Sequence, residues 1–202
     1  MNSQPYPYLS WKPPHTASHH KLPLLLCLHG SGECGTSLEQ VARNGPLKEA
    51  RAGRALPFLI VAPQAREERW DPERLCATLD ATLAAHRVDT TRVYATGYSL
   101  GADGVWALAM HAPERFAAIA TLCGGGDVRK VHRLKHLPIW NFHGAQDRVV
   151  KIAESQELID ALHRIHAPEV RFTIYPEGRH DIWTRIYADP VLYTWLLAHK
   201  SS

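Results

Sequence analysis

Seven short apolar runs, separated by longer amphipathic stretches, constrain this chain more than any other feature. They are Tyr6–Trp11, Leu22–Leu28, Pro57–Val61, Arg92–Thr96, Phe116–Leu122, Pro138–Phe142 and Val170–Tyr175. Strands that alternate with helix-length segments build parallel sheets, because each helix carries the chain back to the starting edge. The middle runs are apolar throughout, as strands covered on both faces must be. The expected class is therefore α/β, a mostly parallel sheet of about seven strands with helices on both faces. The first run is the weakest. Residues 1–20 are expected to hold an edge strand and a mobile N-terminal segment, with His15, His19 and His20 in the mobile part.

The intervening stretches carry helix signals. Thr36-Ser37-Leu38-Glu39 has the spacing of a capping box, soon interrupted by Gly45-Pro46. Asp71-Pro72-Glu73 places a cap, a first-turn proline and an acid at a helix start, and Leu75, Leu79 and Leu83 then share one face. Ser99 to Met110 is apolar nearly all round, which predicts a buried helix containing Trp106, and Ala112-Pro113 ends it. Leu158, Ile159, Leu162 and Ile165 line one side of a later helix, and Asp189-Pro190 caps the last.

Composition narrows the function classes. With 202 residues, one domain over 1–202 is expected, large enough to fold without disulfides or metal. Net charge is only +3 and the charges are interspersed, so nucleic acid is not an expected partner. No run approaches the ~18 apolar residues of a membrane span. The polar, proline-rich start does not read as an export signal. Cys27, Cys34, Cys76 and Cys123 show no CxxC spacing. Free thiols in a reducing cytoplasm are the expectation.

Chemistry concentrates at Gly97-Tyr98-Ser99-Leu100-Gly101. This GxSxG follows the run Arg92–Thr96 and opens the buried helix, the strand–turn–helix setting that lifts a serine hydroxyl out of a sheet. Side chains two residues before and after the serine would strike backbone, so both positions are glycine. A serine hydroxyl needs a base held by an acid. Asp147 follows the run Pro138–Phe142, within His143-Gly144-Ala145-Gln146-Asp147, and His180 follows the run Val170–Tyr175. Both lie past strand C-termini, the edge where open α/β sheets build ligand sites. Asp147 is preferred over Asp127, Asp181 and Asp189 as the acid. His143, before a glycine, is expected to fix its loop.

Leu28-His29-Gly30-Ser31-Gly32-Glu33-Cys34-Gly35 is glycine-rich and also follows a strand. An N–H from Ser31, or from Gly32 beside it, is expected to pair with the N–H of Leu100 as an oxyanion hole. Gly32, Trp70, Tyr98 and Trp183 are the candidate substrate contacts, with Trp70 and Trp183 evenly balanced between pocket and core. Arg66 and Arg69 share the loop of Trp70 and read as solvated. His132 and His136 stand four apart among Arg129, Lys130, Arg133 and Lys135, a positive field unsuited to a metal.

Together, Leu28–Gly35, Thr96–Gly101, His143–Asp147 and Gly178–His180 resemble the α/β-hydrolase superfamily. They are most similar to its carboxylesterase/phospholipase-like and predicted-peptidase branch, related to dienelactone hydrolases. Trp106-Ala-Leu-Ala and Pro113 to Gly126 are similar to the same branch. The resemblance runs from Leu22 onward. It implies an α/β-hydrolase fold and a serine esterase working through an acyl-enzyme on small-molecule esters, with no cofactor. It places catalysis on Ser99, Asp147 and His180, with Ser31 and Leu100 as oxyanion donors. A thioesterase, peptidase or acyltransferase, or a binding protein without turnover, are the alternatives. Asp103 and Cys34 depart from the family pattern; Asp103 reads either as a partnered buried carboxylate or as a wall of the site. Only Gly124 to Leu137 is available where relatives insert a lid, so no sizeable lid and an open site are expected.

Overall fold

The computed structural model describes residues 3–14, 16 and 21–201, which leaves His15, His19 and His20 outside the described residues. All seven apolar runs form strands: β1 (Tyr8–Trp11), β2 (Leu22–Leu28), β3 (Leu59–Pro63), β4 (Val88–Tyr98), β5 (Ala118–Leu122), β6 (Ile139–Gly144) and β7 (Val170–Tyr175). They join one sheet in the order β1-β3-β2-β4-β5-β6-β7. Only β1 runs antiparallel, pairing Tyr8 with Pro63 and Trp11 with Ile60 on β3.

Strand periodicity of two divides the core. Leu24, Leu26 and Leu28 point to one face. There they meet Leu75 and Leu79 of α2 (Pro72–Ala85), Val105 and Leu108 of α3 (Leu100–His111), and Leu158 and Leu162 of α4 (Ile152–Arg164). Leu25 and Cys27 point to the other face. They meet Leu47 of α1 (Gly45–Arg51), Ile186 of α5 (Trp183–Ala188) and Leu196 of α6 (Pro190–Leu197). Each fully buried leucine contributes about 1.5–3 kcal/mol, so the two faces together hold the helices on the sheet. Trp106 has no exposed surface and is core, as its helix predicts.

The caps divide sharply. Asp71 accepts the Glu73 N–H and Asp189 the Val191 N–H, as expected of aspartates ahead of a first-turn proline. The capping box at Thr36–Glu39 does not form. Ser37 makes no side-chain cap to the short 3-10 helix Leu38–Ala42, and the Glu39 carboxylate turns to Arg51 at 2.6 Å. Gly45-Pro46 does not interrupt a helix but begins α1, because Gly45 takes φ 79° and proline suits a first turn. In the stretch Gly124 to Leu137 lies one 3-10 helix, Val128–Leu134, and no long lid. His132 and His136 are both exposed. No helix among the described residues is long and apolar enough to cross a membrane.

Candidate active site

β4 delivers Ser99 at the centre of the sheet. Ser99 adopts φ 53°, ψ −129°, a strained conformation for a residue with a side chain. Its N–H is held by the Leu122 carbonyl at 2.9 Å. A Cβ on Gly97 would overlap the Gly101 carbonyl, and one on Gly101 would overlap Leu28. Both glycines of the motif are therefore demanded by the turn.

The loops after β6 and β7 are fastened to each other before they reach Ser99. Ala145 N–H donates to the Tyr175 carbonyl at 2.9 Å, Gln146 N–H to Gly178 at 2.8 Å, and the Gln146 side chain to Glu177 at 3.0 Å. Asp147 and His180 are thereby held side by side. His180 Nδ1 lies 2.6 Å from Asp147 Oδ2, and Nε2 lies 2.9 Å from Ser99 Oγ. Nδ1 faces a carboxylate and must donate, which leaves Nε2 as the acceptor of the serine proton.

The Asp147 side chain has no exposed surface, and that of His180 is 18% exposed. Burial alone would push the Asp147 carboxyl up. The His180 bond and the Val149 and Val150 N–H groups, at 2.8 and 3.0 Å on Oδ1, outweigh it and hold the pKa below the usual carboxylate value. His180 thus faces a charged carboxylate. The rival acids have other partners: Asp127 pairs with Arg129, and Asp189 caps α6. Asp181 lines the groove beside His180 but makes no ion pair among the described residues.

The first loop forms a single 3-10 turn, Ser31–Glu33, with Ser31 and Gly32 exposed. The N–H groups of Ser31, Gly32 and Leu100 have no intramolecular partner among the described residues. His29 secures the loop's base: its Nδ1 donates to Gly30 O at 2.6 Å and its Nε2 accepts the Ala65 N–H at 3.0 Å. Behind the turn, buried Glu33 accepts from Asn44 at 2.7 Å and lies against the Tyr98 hydroxyl. That internal link was not visible in the sequence, where Glu33 reads only as part of a glycine-rich loop.

Tyr98 is buried and stacks on Trp183 with ring centroids 4.7 Å apart; Trp183 in turn meets His180 edge-on at 5.2 Å. Trp183 is partly exposed and forms a wall of the site. Trp70 does not. It is 6% exposed, packs against His29 and Tyr6, and fills the space that a side chain on Gly104 would need. Its ring supports α3 from behind, which corrects its candidacy as a substrate contact. Arg66 and Arg69 are exposed, as expected.

Asp103 is partnered, and as a residue it is exposed rather than buried. It accepts the Gly125 N–H at 2.8 Å and keeps an exposed edge beside the site. Burial of its inner side raises the carboxyl to about 6, offset in part by the Gly125 N–H. Cys34 donates its thiol to the Glu67 carbonyl at 3.4 Å and is free, as are the other three cysteines.

Among the described residues, one trio brings metal-ligand atoms within 4.8 Å: Cys123, Asp147 and His180. Two of the three are already bonded to each other, and burial pushes the Cys123 thiol up to about 12, far from the thiolate a metal requires. A groove of about 390 Å³ opens beside His180, lined by Gln146, Arg148, Val149, Arg179 and Asp181. The larger cavity, about 510 Å³ between Trp11 and Leu56, contains none of these groups.

A sequence profile of the Dienelactone hydrolase family matches residues 47–185, more than half of the chain. NocK of Nocardia uniformis subsp. tsuyamanensis, provisionally named an esterase, is 31% identical over 140 residues, covering 62% of this chain and 40% of NocK. The crystal structure of a thermostable esterase superposes with a TM-score of 0.86 at 31% identity, over 96% of this chain and 59% of that one. The chain thus spans well under two thirds of either relative. Zea mays acyl-protein thioesterase 2 shares the fold at 18% identity, with a TM-score of 0.68 over 96% of this chain and 98% of its own. By its matched profile and its α/β-hydrolase fold, this chain belongs to the Dienelactone hydrolase family.

Proposed function

We propose that the chain is a serine hydrolase of carboxylic esters, working through Ser99, His180 and Asp147. The observation that carries this reading is the unbroken path from Ser99 Oγ to His180 Nε2 at 2.9 Å, and from His180 Nδ1 to Asp147 at 2.6 Å. His180 removes the Ser99 proton as Oγ attacks the ester carbonyl. The N–H groups of Leu100 and Ser31, with Gly32 as the neighbouring donor, receive the negative charge on the tetrahedral oxygen. Asp147 stabilises the imidazolium, which then protonates the leaving alcohol. Water, deprotonated by the same histidine, releases the acid from the acyl-enzyme. The open groove beside His180 and the Trp183 ring, backed by buried Tyr98, receive the substrate, with no cofactor in any step.

The esterase names of the relatives support this substrate class. The reading takes residues 1–202 as one domain, supported by the single sheet and the two cores packed on it. A cytoplasmic location belongs to the same reading, supported by four free thiols. Replacing Ser99 with alanine is expected to lower turnover of a short p-nitrophenyl ester by about 10³-fold or more. Unchanged turnover would remove Ser99 from the reaction.

A further inference from the structure

One buried imidazole beside the acid takes no part in the proton path. His143 is the penultimate residue of β6, four before Asp147, and its side chain has no exposed surface. Its Nε2 lies 3.0 Å from the Val150 carbonyl and 3.4 Å from Asp147 Oδ2. Both neighbours are acceptors only, so this nitrogen must carry hydrogen; a bare nitrogen would face two oxygens with nothing between. On the other side, Nδ1 lies 2.8 Å from Ser155 Oγ, which also reaches the Gly124 carbonyl at 2.9 Å.

These contacts join two loops. Val150 is gripped from both sides, its N–H bonded to Asp147 and its carbonyl to His143. Gly124 belongs to the loop after β5 that lies on the serine turn; a Cβ there would come within 3.0 Å of the Ser99 carbonyl oxygen. We propose that His143 is a positioning residue for the reaction. Its Nε2–H holds the Val150 peptide and faces the Asp147 carboxylate, and its Nδ1 contacts Ser155, which sits between the acid loop and the loop beside Ser99. The proposal rests on the triad reading above.

The accounting of the Asp147 oxygens agrees. Oδ1 takes two backbone N–H groups, while Oδ2 takes His180 and faces His143. The carboxylate is held on all sides and cannot rotate without breaking a bond. The titratable groups facing the ring are Asp147, His180 and Glu154. Burial lowers its pKa against the opposing pull of Val150 and Asp147, so the neutral Nε2–H form is favoured.

The test compares wild type, His143→Leu and His143→Gln by kcat, KM and the pH profile of kcat/KM on a neutral p-nitrophenyl ester. Fluorophosphonate labelling of Ser99 is followed in each. In His143→Leu, kcat is expected to fall about tenfold with KM changed less than about twofold. The acid limb is expected to move upward, because Asp147 without its N–H neighbour holds the His180 proton more tightly. His143→Gln, which keeps an N–H donor, restores most of both. A leucine variant with the wild-type rate and limb overturns the proposal, as does a loss that folded His143→Gln leaves unrepaired. Should the leucine variant fail to fold, ¹⁵N NMR of the wild-type ring decides. Hydrogen on Nε2 supports the proposal, and hydrogen on Nδ1 alone overturns it. Failure of the triad reading would show separately, as wild-type protein that neither turns over ester nor labels at Ser99.

Discussion

Two loops flank Ser99, and they are held in opposite ways. The acid loop, Gly144 to Val150, is fixed at its functional residue: Asp147 is buried and bonded to His180, Val149 and Val150. The loop from Gly30 to Gly35 is fixed at its flanks instead. Gln64 donates to the Glu33 carbonyl at 2.9 Å, Gly35 N–H to Ala65 at 3.0 Å, and His29 bonds to Ala65. Between those anchors, Ser31 and Gly32 are exposed with their N–H groups free. An acid that must orient a ring needs side-chain bonds on every oxygen. A donor that must meet an incoming oxygen needs a fixed backbone with its N–H left open. Side-chain changes should therefore be severe at Asp147 and nearly silent at Ser31.

Asp147→Asn is the most damaging change expected on the acid side, lowering kcat by about 10³–10⁴-fold. Its amide would donate toward His180 Nδ1 and force the hydrogen onto Nε2, facing Ser99. A retained rate would break the contrast at its stronger end. In the other loop, Ser31→Pro removes an N–H and should cost about 10²-fold, while Ser31→Ala should stay within about twofold. If Gly32→Pro is the damaging change and Ser31→Pro is tolerated, the donor moves one residue along. Trp183→Ala removes the wall shared by Tyr98 and His180, and KM should rise by about 2–10-fold, read from saturation curves.

The smallest effect concerns Asp103, which belongs to neither loop. Its pKa is raised in the fold, so its ionisation weakens the folded state. The cost is absent below the unfolded value near 3.8, grows as pH rises toward about 6, and is constant above that. Asp103→Asn, which can still accept the Gly125 N–H, should raise Tm at about pH 8 and leave it unchanged near pH 3. A gain confined to acid pH would contradict the sign.

The acid side was also the more legible in sequence. Asp147 and His180 each follow an apolar run, the first from the buried strand β6 and the second from the half-exposed edge strand β7. Boundaries were less so. β3 starts two residues later than its apolar run, after Pro57, which has no N–H for the ladder. β4 extends back to Val88 through the polar stretch Asp89–Arg92, where pairing of Leu22 with Val88 sets the boundary and hydrophobicity does not. Six-residue α5 is too short to show a period. Trp70 was ambiguous because its neighbours, His29 and Gly104, are distant in the chain. The same reason hid Ser155: it sits on α4, and only folding brings it to His143. Pattern reports what an element needs locally; a contact between elements has no local signature.

The account stands most directly on Ser99 being the nucleophile that His180 activates. Mass-spectrometric mapping of a fluorophosphonate adduct on the folded protein tests this in one step. The adduct is expected on the peptide containing Ser99, at a rate that falls sharply when His180 is replaced by alanine. A folded protein that stays unlabelled, or carries the adduct on another residue, would contradict the account.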